Sequence, residues 1–161
     1  MILLSITNLY NNYKYLNPNI VKDYCKEKGC KLQISSDQYY ILDGDLIEEY
    51  KRSSQLNKSV DCIIISKKPI DEKYEVILCE LSSGKKSADV IIEKFKNSGN
   101  EISSTFKDNN LNIGNFQCYY LGDLKNLKFS KKRLNKPLNI VGLTDRYDIL
   151  IKLRKCNYSI E

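Results

Sequence analysis

Two apolar runs decide the fold of this chain: VDCIIIS at residues 60–66 and EVILCELSSG at residues 75–84. Each run has the aliphatic and β-branched content of a buried strand, and the apolar residues of each are interrupted by one acid, Asp61 in the first and Glu80 in the second. The polar residues between the runs indicate a short connection. We therefore expect the two runs to form an antiparallel hairpin.

The register of this hairpin brings its two acids together. A loop centred between residues 70 and 71 places Asp61 opposite Glu80, because both lie at the same distance from that centre. Directly opposed residues on one face of an antiparallel pair have Cβ atoms about 4.5–5.5 Å apart. Two carboxylates at that separation repel each other unless a proton or a cation lies between them. The pattern predicts a site for a hard cation such as Mg²⁺, which binds one or two carboxylates together with waters and phosphate oxygens.

Length and composition are typical of one globular domain spanning residues 1–161. Hydrophobic residues make up 42% of the chain and charged residues 29%, which is the range of ordinary soluble domains. No apolar run approaches the roughly 18 residues that a membrane helix needs. The N-terminal residues 1–4 are too short for the core of a signal peptide. These observations predict a cytoplasmic protein with no membrane partner.

The cysteine and histidine content limits the chemistry that the chain can perform. The six cysteines include no C-x-x-C pair and no zinc-finger spacing, so we expect them to be reduced and to act as small core residues. The chain has no histidine, which excludes Ser-His-Asp catalysis, Cys-His catalysis and histidine-ligated metals. Catalysis must therefore use carboxylates, lysines, hydroxyl groups or a bound ion.

The segments on either side of the hairpin predict a domain that contains both helices and strands. Helix-terminus signals and apolar spacing favour helices at about residues 18–28 and 87–98. Gly99 fits the end of the second helix, and residues 101–106 fit its continuation by a turn or two. Residues 1–16 fit a short strand or an irregular helix, and residues 146–155 fit either element. The other expected elements are strands at residues 31–34, 39–42, 116–121 and 138–143, a hairpin turn at Asp43-Gly44, and a loop at residues 48–59.

This order of elements resembles the PD-(D/E)xK family, the restriction-endonuclease-like nucleases. The resemblance covers about residues 18–122 and rests on Val60-Asp61 and on Cys79-Glu80-Leu81-Ser82. In that family an Asp begins one strand and an (Asp/Glu)-x-Lys motif ends the next. Both acids bind Mg²⁺ at the scissile phosphate, and the lysine helps to position and activate the attacking water. The resemblance implies an α/β domain with a central mixed sheet flanked by helices, the restriction-endonuclease-like core. It also implies that Asp61 and Glu80 are catalytic metal ligands for Mg²⁺ or Mn²⁺.

The chain departs from the family at the lysine, because Ser82 stands two residues after Glu80. A serine lacks the positive charge that stabilises an attacking hydroxide. Two interpretations follow. Either Lys85, or less favourably Lys86, reaches back into the site from the following turn, or catalysis is weakened or lost; we favour Lys85. The family often carries a further acid on its first helix, and Glu27 is the candidate here.

One dense basic segment covers residues 125–136 in a chain of net charge +6. It fits a surface that contacts the phosphate backbone of nucleic acid and makes binding depend on salt. A solvated loop without a specific role explains the segment equally well. The basic residues of the segment are Lys125, Lys128, Lys131, Lys132, Arg133 and Lys136.

Together these features predict a metal-dependent endonuclease that hydrolyses phosphodiester bonds in nucleic acid, with DNA favoured over RNA. A role in restriction, repair or anti-phage defence follows only by analogy between folds. The alternative is a catalytically inert module on the same fold that binds nucleic acid or a protein partner. A third possibility is an assembly protein that does not bind nucleic acid. The sequence leaves open whether the chain forms a homo-oligomer or joins a larger complex.

Overall fold

The structure is a computed structural model that describes residues 6–51, 59–81, 87–122, 131–143 and 148–160. Its α-helices are Ile6–Leu16 (α1), Gly44–Lys51 (α2), Ala88–Asp108 (α3) and Lys131–Leu134 (α4). Its strands are Val21–Lys22 (β1), Cys25–Glu27 (β2), Cys30–Gln33 (β3), Tyr39–Asp43 (β4), Cys62–Ser66 (β5), Lys73–Leu81 (β6), Asn112–Leu121 (β7), Ile151–Arg154 (β8) and Tyr158–Ser159 (β9). None of the described helices is long and apolar enough to cross a membrane.

A mixed sheet of six described strands forms the centre of the fold, in the order β1-β4-β5-β6-β7-β8. Strands β4, β5 and β6 form an antiparallel meander, whereas β7 and β8 run parallel to β6. Helix α3 makes the crossover from β6 to β7 that a parallel connection requires. This architecture confirms the predicted α/β class with a central mixed sheet flanked by helices.

Both faces of the central sheet are covered. One face packs against α1 and α3, and the other packs against a small sheet in the order β2-β3-β9. Along β5, Ile63 faces the helices and Ile64 faces the small sheet, because successive strand residues point to opposite faces. This double burial explains why the two runs that decide the fold are continuously apolar rather than alternating.

The central hairpin has the predicted register. Cys62 pairs with Cys79 and Ile63 pairs with Leu78, so the next pair outward joins residues 61 and 80. Strands β3, β4 and β7 also lie where the sequence predicted them.

Helix α3 begins where predicted but is much longer than expected. The Ser87 Oγ accepts a hydrogen bond from the Val90 N–H at 3.3 Å and caps the helix. The helix does not end at Gly99 but continues to Asp108, so the alternative of further turns over residues 101–106 is the one found. Gly99 serves packing instead: a Cβ there would lie 2.6 Å from Ile140 Cδ1.

The helix predicted at residues 18–28 is wrong. Asn17 does cap a helical turn, and its Oδ1 accepts a hydrogen bond from the Asn19 N–H at 2.9 Å. The turn is a single 3₁₀ turn, Pro18–Ile20, after which β1 pairs with β4. Pairing with the sheet overrides the local helix signal, and the helix that precedes the sheet is α1, within residues 1–16.

Asp43 and Gly44 begin a helix rather than the predicted hairpin turn. The Asp43 Oδ1 accepts a hydrogen bond from the Leu46 N–H at 3.0 Å and caps α2. A glycine is required at position 44 because a Cβ would lie 2.0 Å from the carbonyl oxygen of Val60. Helix α2 occupies the start of the loop expected at residues 48–59, most of which lies outside the described residues.

The strand predicted at residues 138–143 is reduced to one β-bridge, between Leu138 and Ile149. The segment packs on α3 instead, with Ile140 fully buried against the helix. The ambiguous stretch at residues 146–155 contains strand β8.

Two disulfides stabilise the stacking of the sheets: Cys25–Cys62 and Cys30–Cys156. Cys79 and Cys118 are buried and free. The expectation of six reduced cysteines is therefore wrong for four of them. Sequence spacing could not reveal the pairs, because their members are 37 and 126 residues apart and meet only when the sheets stack.

Reduction is expected to destabilise the protein, because each disulfide closes a long loop in the unfolded chain. For separations of 37 and 126 residues, the chain-entropy relation gives about 4–5 kcal/mol for each bridge. A reductant should therefore lower the thermal unfolding midpoint. Thiol titration in denaturant should find the two free cysteines before reduction and all six afterwards. Six titratable thiols without reductant would contradict the pairing.

Candidate active site

The predicted pair of acids meets at one end of the central sheet. Asp61 directly precedes β5, and Glu80 lies near the end of β6 on the face that α3 covers. The Asp61 N–H donates a hydrogen bond to Glu80 Oε1 at 3.1 Å. In return, the Leu81 N–H donates to Asp61 Oδ2 at 2.7 Å. Each carboxyl is therefore held by the backbone of the other's strand.

The two acids share a site with little access to water. Glu80 is fully buried, and Asp61 is partly buried. Burial and the adjacent Glu80 carboxylate raise the pKa of Asp61 to about 9, although the hydrogen bond from Leu81 acts in the opposite direction. Asp61 therefore retains a proton at neutral pH in the metal-free protein. A cation that replaced this proton would remove the same repulsion.

Lys94 of α3 reaches the pair from the covering helix. Its Nζ lies 2.7 Å from Glu80 Oε2, and only 15% of its side chain is exposed. One turn later, the buried Ser98 Oγ accepts a hydrogen bond from the Val60 N–H at 2.9 Å. The same edge of α3 thus fixes the residue before Asp61 and supplies a cation to Glu80.

Sequence reasoning missed Lys94, although the sequence held a signal for it. Lys94 follows Ile91 by three residues and precedes Phe95, so it lies beside the apolar stripe that packs on the sheet. A lysine at the edge of a buried stripe requires an anionic partner or a path to solvent.

A third acid, Asp45, approaches the pair from α2. The Gly44 N–H donates a hydrogen bond to the Asp61 carbonyl oxygen at 3.1 Å, which fixes the start of this helix against the site. Partial burial, followed by the negative charge of Asp43, raises the pKa of Asp45 to about 6. Glu80 contributes to this rise, while Lys94 opposes it. The sequence did not identify Asp45 because its neighbours resembled a hairpin turn.

Glu27, the further acid predicted from the sequence, lies on strand β2 and not on a helix. Its side chain is exposed. Its charge contributes, as the smallest of the causes, to the raised pKa values of Asp61 and Asp45. Glu27 therefore lies at the edge of the acidic site and does not contact the central pair through any hydrogen bond that we describe.

Several predicted residues lie outside the described part of the chain or away from the acids. Residues 82–86, which include Ser82, Lys85 and Lys86, are outside it, so the assignment of Lys85 stays a prediction. Lys125 and Lys128 are also outside it. Lys131 begins α4, and the described side chains of Lys132, Arg133 and Lys136 line a separate cleft.

The donor set suits a hard divalent cation. Within the described ranges there is no group of three or more His, Cys, Asp or Glu side chains arranged to hold a metal. Mg²⁺ does not need such a group, because it keeps several waters and uses one or two carboxylates together with substrate phosphates. Asp61 and Glu80 supply those oxygens, and a cation between them would offset the repulsion from Glu80 that, after burial, raises the pKa of Asp61.

No protein-family model, curated protein or solved structure matches this chain. The site is therefore interpreted from its own residues and their geometry.

The raised pKa of Asp61 predicts that the metal-free protein loses stability as the pH rises. The unfolded chain releases this proton near pH 4, whereas the folded protein keeps it up to about pH 9. The folded state binds more protons across that window, so the free energy of unfolding falls with pH by up to about 1.4 kcal/mol per pH unit.

Urea unfolding in EDTA between about pH 7 and 8.5, where Asp45 with its pKa of about 6 is almost fully ionised, would measure this slope. The Asp61→Asn variant keeps an acceptor for the Leu81 N–H and has no proton to lose, so its slope should be smaller than that of the wild type. Equal slopes in the two proteins would contradict the assigned pKa.

Proposed function

We propose that this protein is a metal-dependent nuclease that hydrolyses phosphodiester bonds in nucleic acid, with DNA as the favoured substrate. The observation that carries the proposal is the opposed pair Asp61 and Glu80, with Lys94 2.7 Å from Glu80. Two carboxylates and one ammonium group at one end of the central sheet match the needs of phosphoryl chemistry, which are a bound cation and a further positive charge near the phosphate.

The topology around the pair supports the same proposal. After α1 and three short strands, β4, β5 and β6 form an antiparallel meander, with α2 inserted between β4 and β5; α3 and β7, which is parallel to β6, follow. The first acid directly precedes the second strand of the meander, and the second acid lies near the end of the third. This is the arrangement expected from the resemblance to PD-(D/E)xK nucleases.

The roles of the residues follow from their positions. Asp61 and Glu80 would hold Mg²⁺ or Mn²⁺, and the bound ion would polarise the phosphate and lower the pKa of a bound water. Lys94 supplies a fixed positive charge beside Glu80 and would stabilise the negative charge that builds on the phosphate. In the family, the motif lysine stands at the position that Ser82 occupies in this chain. We propose that Lys94 performs the role of that lysine.

Asp45 is the acid best suited to proton exchange. Its pKa of about 6 is close to neutral, where a carboxyl group transfers protons most effectively. It lies at the start of α2 with its side chain exposed, so it can pass a proton to solvent.

The cellular compartment is part of the proposal. The sequence suggested the cytoplasm, but disulfides persist in oxidising environments and are rare in reducing ones. Cys25–Cys62 and Cys30–Cys156 therefore favour action in an oxidising compartment or outside the cell.

Removing either central carboxylate should abolish cleavage. We expect Asp61→Asn and Glu80→Gln to lower the rate of Mn²⁺-dependent cleavage of plasmid DNA by at least about 100-fold, because even the loss of groups that orient metal ligands costs 10–100-fold. Asp71→Asn, in the exposed loop at the other end of the same hairpin, is the matched control and should cleave at the wild-type rate. Thermal unfolding would verify folding.

Wild-type cleavage by Asp61→Asn would contradict the proposal. DNA binding without any Mn²⁺-dependent cleavage by the wild-type protein would favour the inert module instead.

The two candidate lysines can be separated by paired variants. Lys94→Met should lower the cleavage rate by about 100-fold, as the loss of one group that stabilises transition-state charge does. Lys85→Met should retain most of the activity. Because Lys94→Met leaves Glu80 buried without its cation, rates should be compared well below the unfolding midpoint of each protein. Loss of activity in Lys85→Met together with retention in Lys94→Met would restore the sequence-based assignment.

A further inference from the structure

We propose that a cleft beside α3 is a second anion site, which binds backbone phosphates of the same nucleic-acid strand at a distance from the cut. The cleft lies between α3 and residues 132–139 and has a volume of about 600 Å³. Four cationic side chains line it: Lys96, Lys132, Arg133 and Lys136. This inference rests on the proposed function and adds the binding surface for the substrate.

Three of the four cations, Lys132, Arg133 and Lys136, lie on residues 132–139, which form the wall of the cleft that faces α3. Leu134 and Leu138 are buried beneath it, and the Leu138 N–H donates a hydrogen bond to the Ile149 carbonyl oxygen at 2.7 Å. Arg133 forms an ion pair with Asp89 in the first turn of α3. The basic residues around Leu134 are therefore held against the helix rather than carried on a free loop.

The wall is also fixed further along α3. Ile140 packs on Gly99, where no side chain intervenes. The Val141 N–H donates to Asn100 Oδ1 at 3.0 Å, and Ser103 Oγ donates to the Val141 carbonyl oxygen at 3.0 Å. Cations held in place lose less side-chain entropy when they bind phosphate than cations on a free loop do.

The cleft and the pair of acids lie on different sides of α3. Lys94 and Lys96 are two residues apart, so they project about 200° from each other around the helix axis. Lys94 reaches Glu80, whereas Lys96 lines the cleft, so the two sites lie on opposite flanks of the helix. A helix with its side chains is about 10–12 Å across.

That separation matches nucleic acid better than a small anion. Successive phosphates of one strand lie farther apart than their axial rise of about 3.4 Å, so 10–12 Å spans at most about three nucleotides. A strand cut at Asp61 and Glu80 could therefore place a phosphate within about three nucleotides of the cut in the cleft. A single phosphate group would occupy only one of the two sites.

The test measures binding separately from cleavage. In the Asp61→Asn background and in EDTA, the fluorescence anisotropy of labelled single-stranded and duplex oligonucleotides would be measured across a salt series. The double variant Lys96→Gln/Lys136→Gln should bind at least about fivefold more weakly, and its salt slope should be smaller by about 1 or more. The matched control Lys14→Gln/Lys107→Gln removes two exposed lysines that do not line the cleft and should bind like the parent.

Equal affinities and slopes for the cleft variant and the control would overturn the proposal. It would also be overturned if the cleft variant lost binding to phosphatidylserine vesicles but kept its affinity for oligonucleotides, because the cleft would then serve a membrane surface.

The failure of this proposal is distinguishable from failure of the nuclease assignment. If the wild-type protein cleaves DNA and the cleft variant binds oligonucleotides like the parent, only the cleft proposal is contradicted. If the cleft variant binds more weakly but the wild-type protein does not cleave DNA with Mn²⁺, the cleft proposal is supported and the nuclease proposal is contradicted.

Discussion

Antiparallel pairing of β5 and β6 forces two carboxylic acids to face each other at the end of the central sheet. Apolar side chains are packed on both faces of the pair, so a slip by one residue would turn each of them to the opposite face and disrupt both cores. Asp61 and Glu80 then have no means of separating, and their repulsion is relieved by a proton, by Lys94 and, in the proposed function, by a divalent cation. The acids therefore oppose the stability of the metal-free fold, a cost that is expected at functional sites.

Helix α3 supplies the other groups of the proposed site around the two acids. It covers the sheet between β6 and β7, and its edge holds Val60 through Ser98 and Glu80 through Lys94. Its other flank anchors the basic wall at residues 132–139. One rigid helix therefore positions the groups proposed to act on the phosphate and the groups proposed to bind its neighbours. The part of α3 from Gly99 to Asp108 provides the surface on which residues 138–143 pack.

The sequence was sufficient for features that depend on neighbouring residues and on one strand pairing. The hairpin, its register, the contact between Asp61 and Glu80, and the central mixed sheet follow from apolar patterning and symmetry. Lys94, Asp45 and the disulfides depend instead on how separate elements stack. No pattern within a short stretch of sequence predicts that Cys25 bonds to Cys62, or that Gly44 must lie against Val60. Lys94 was the one missed residue with a detectable signal, because a lysine beside the buried stripe of a helix needs a partner.

The central claim is that Asp61 and Glu80 bind a divalent cation, and diffraction can test it without any assay of activity. Crystals soaked in Mn²⁺ and measured at the manganese absorption edge should show an anomalous peak between the two carboxyl groups. The same soak of Asp61→Asn crystals should show a weaker peak or none. A wild-type map without anomalous density at this position, or with manganese bound only elsewhere, would contradict the account.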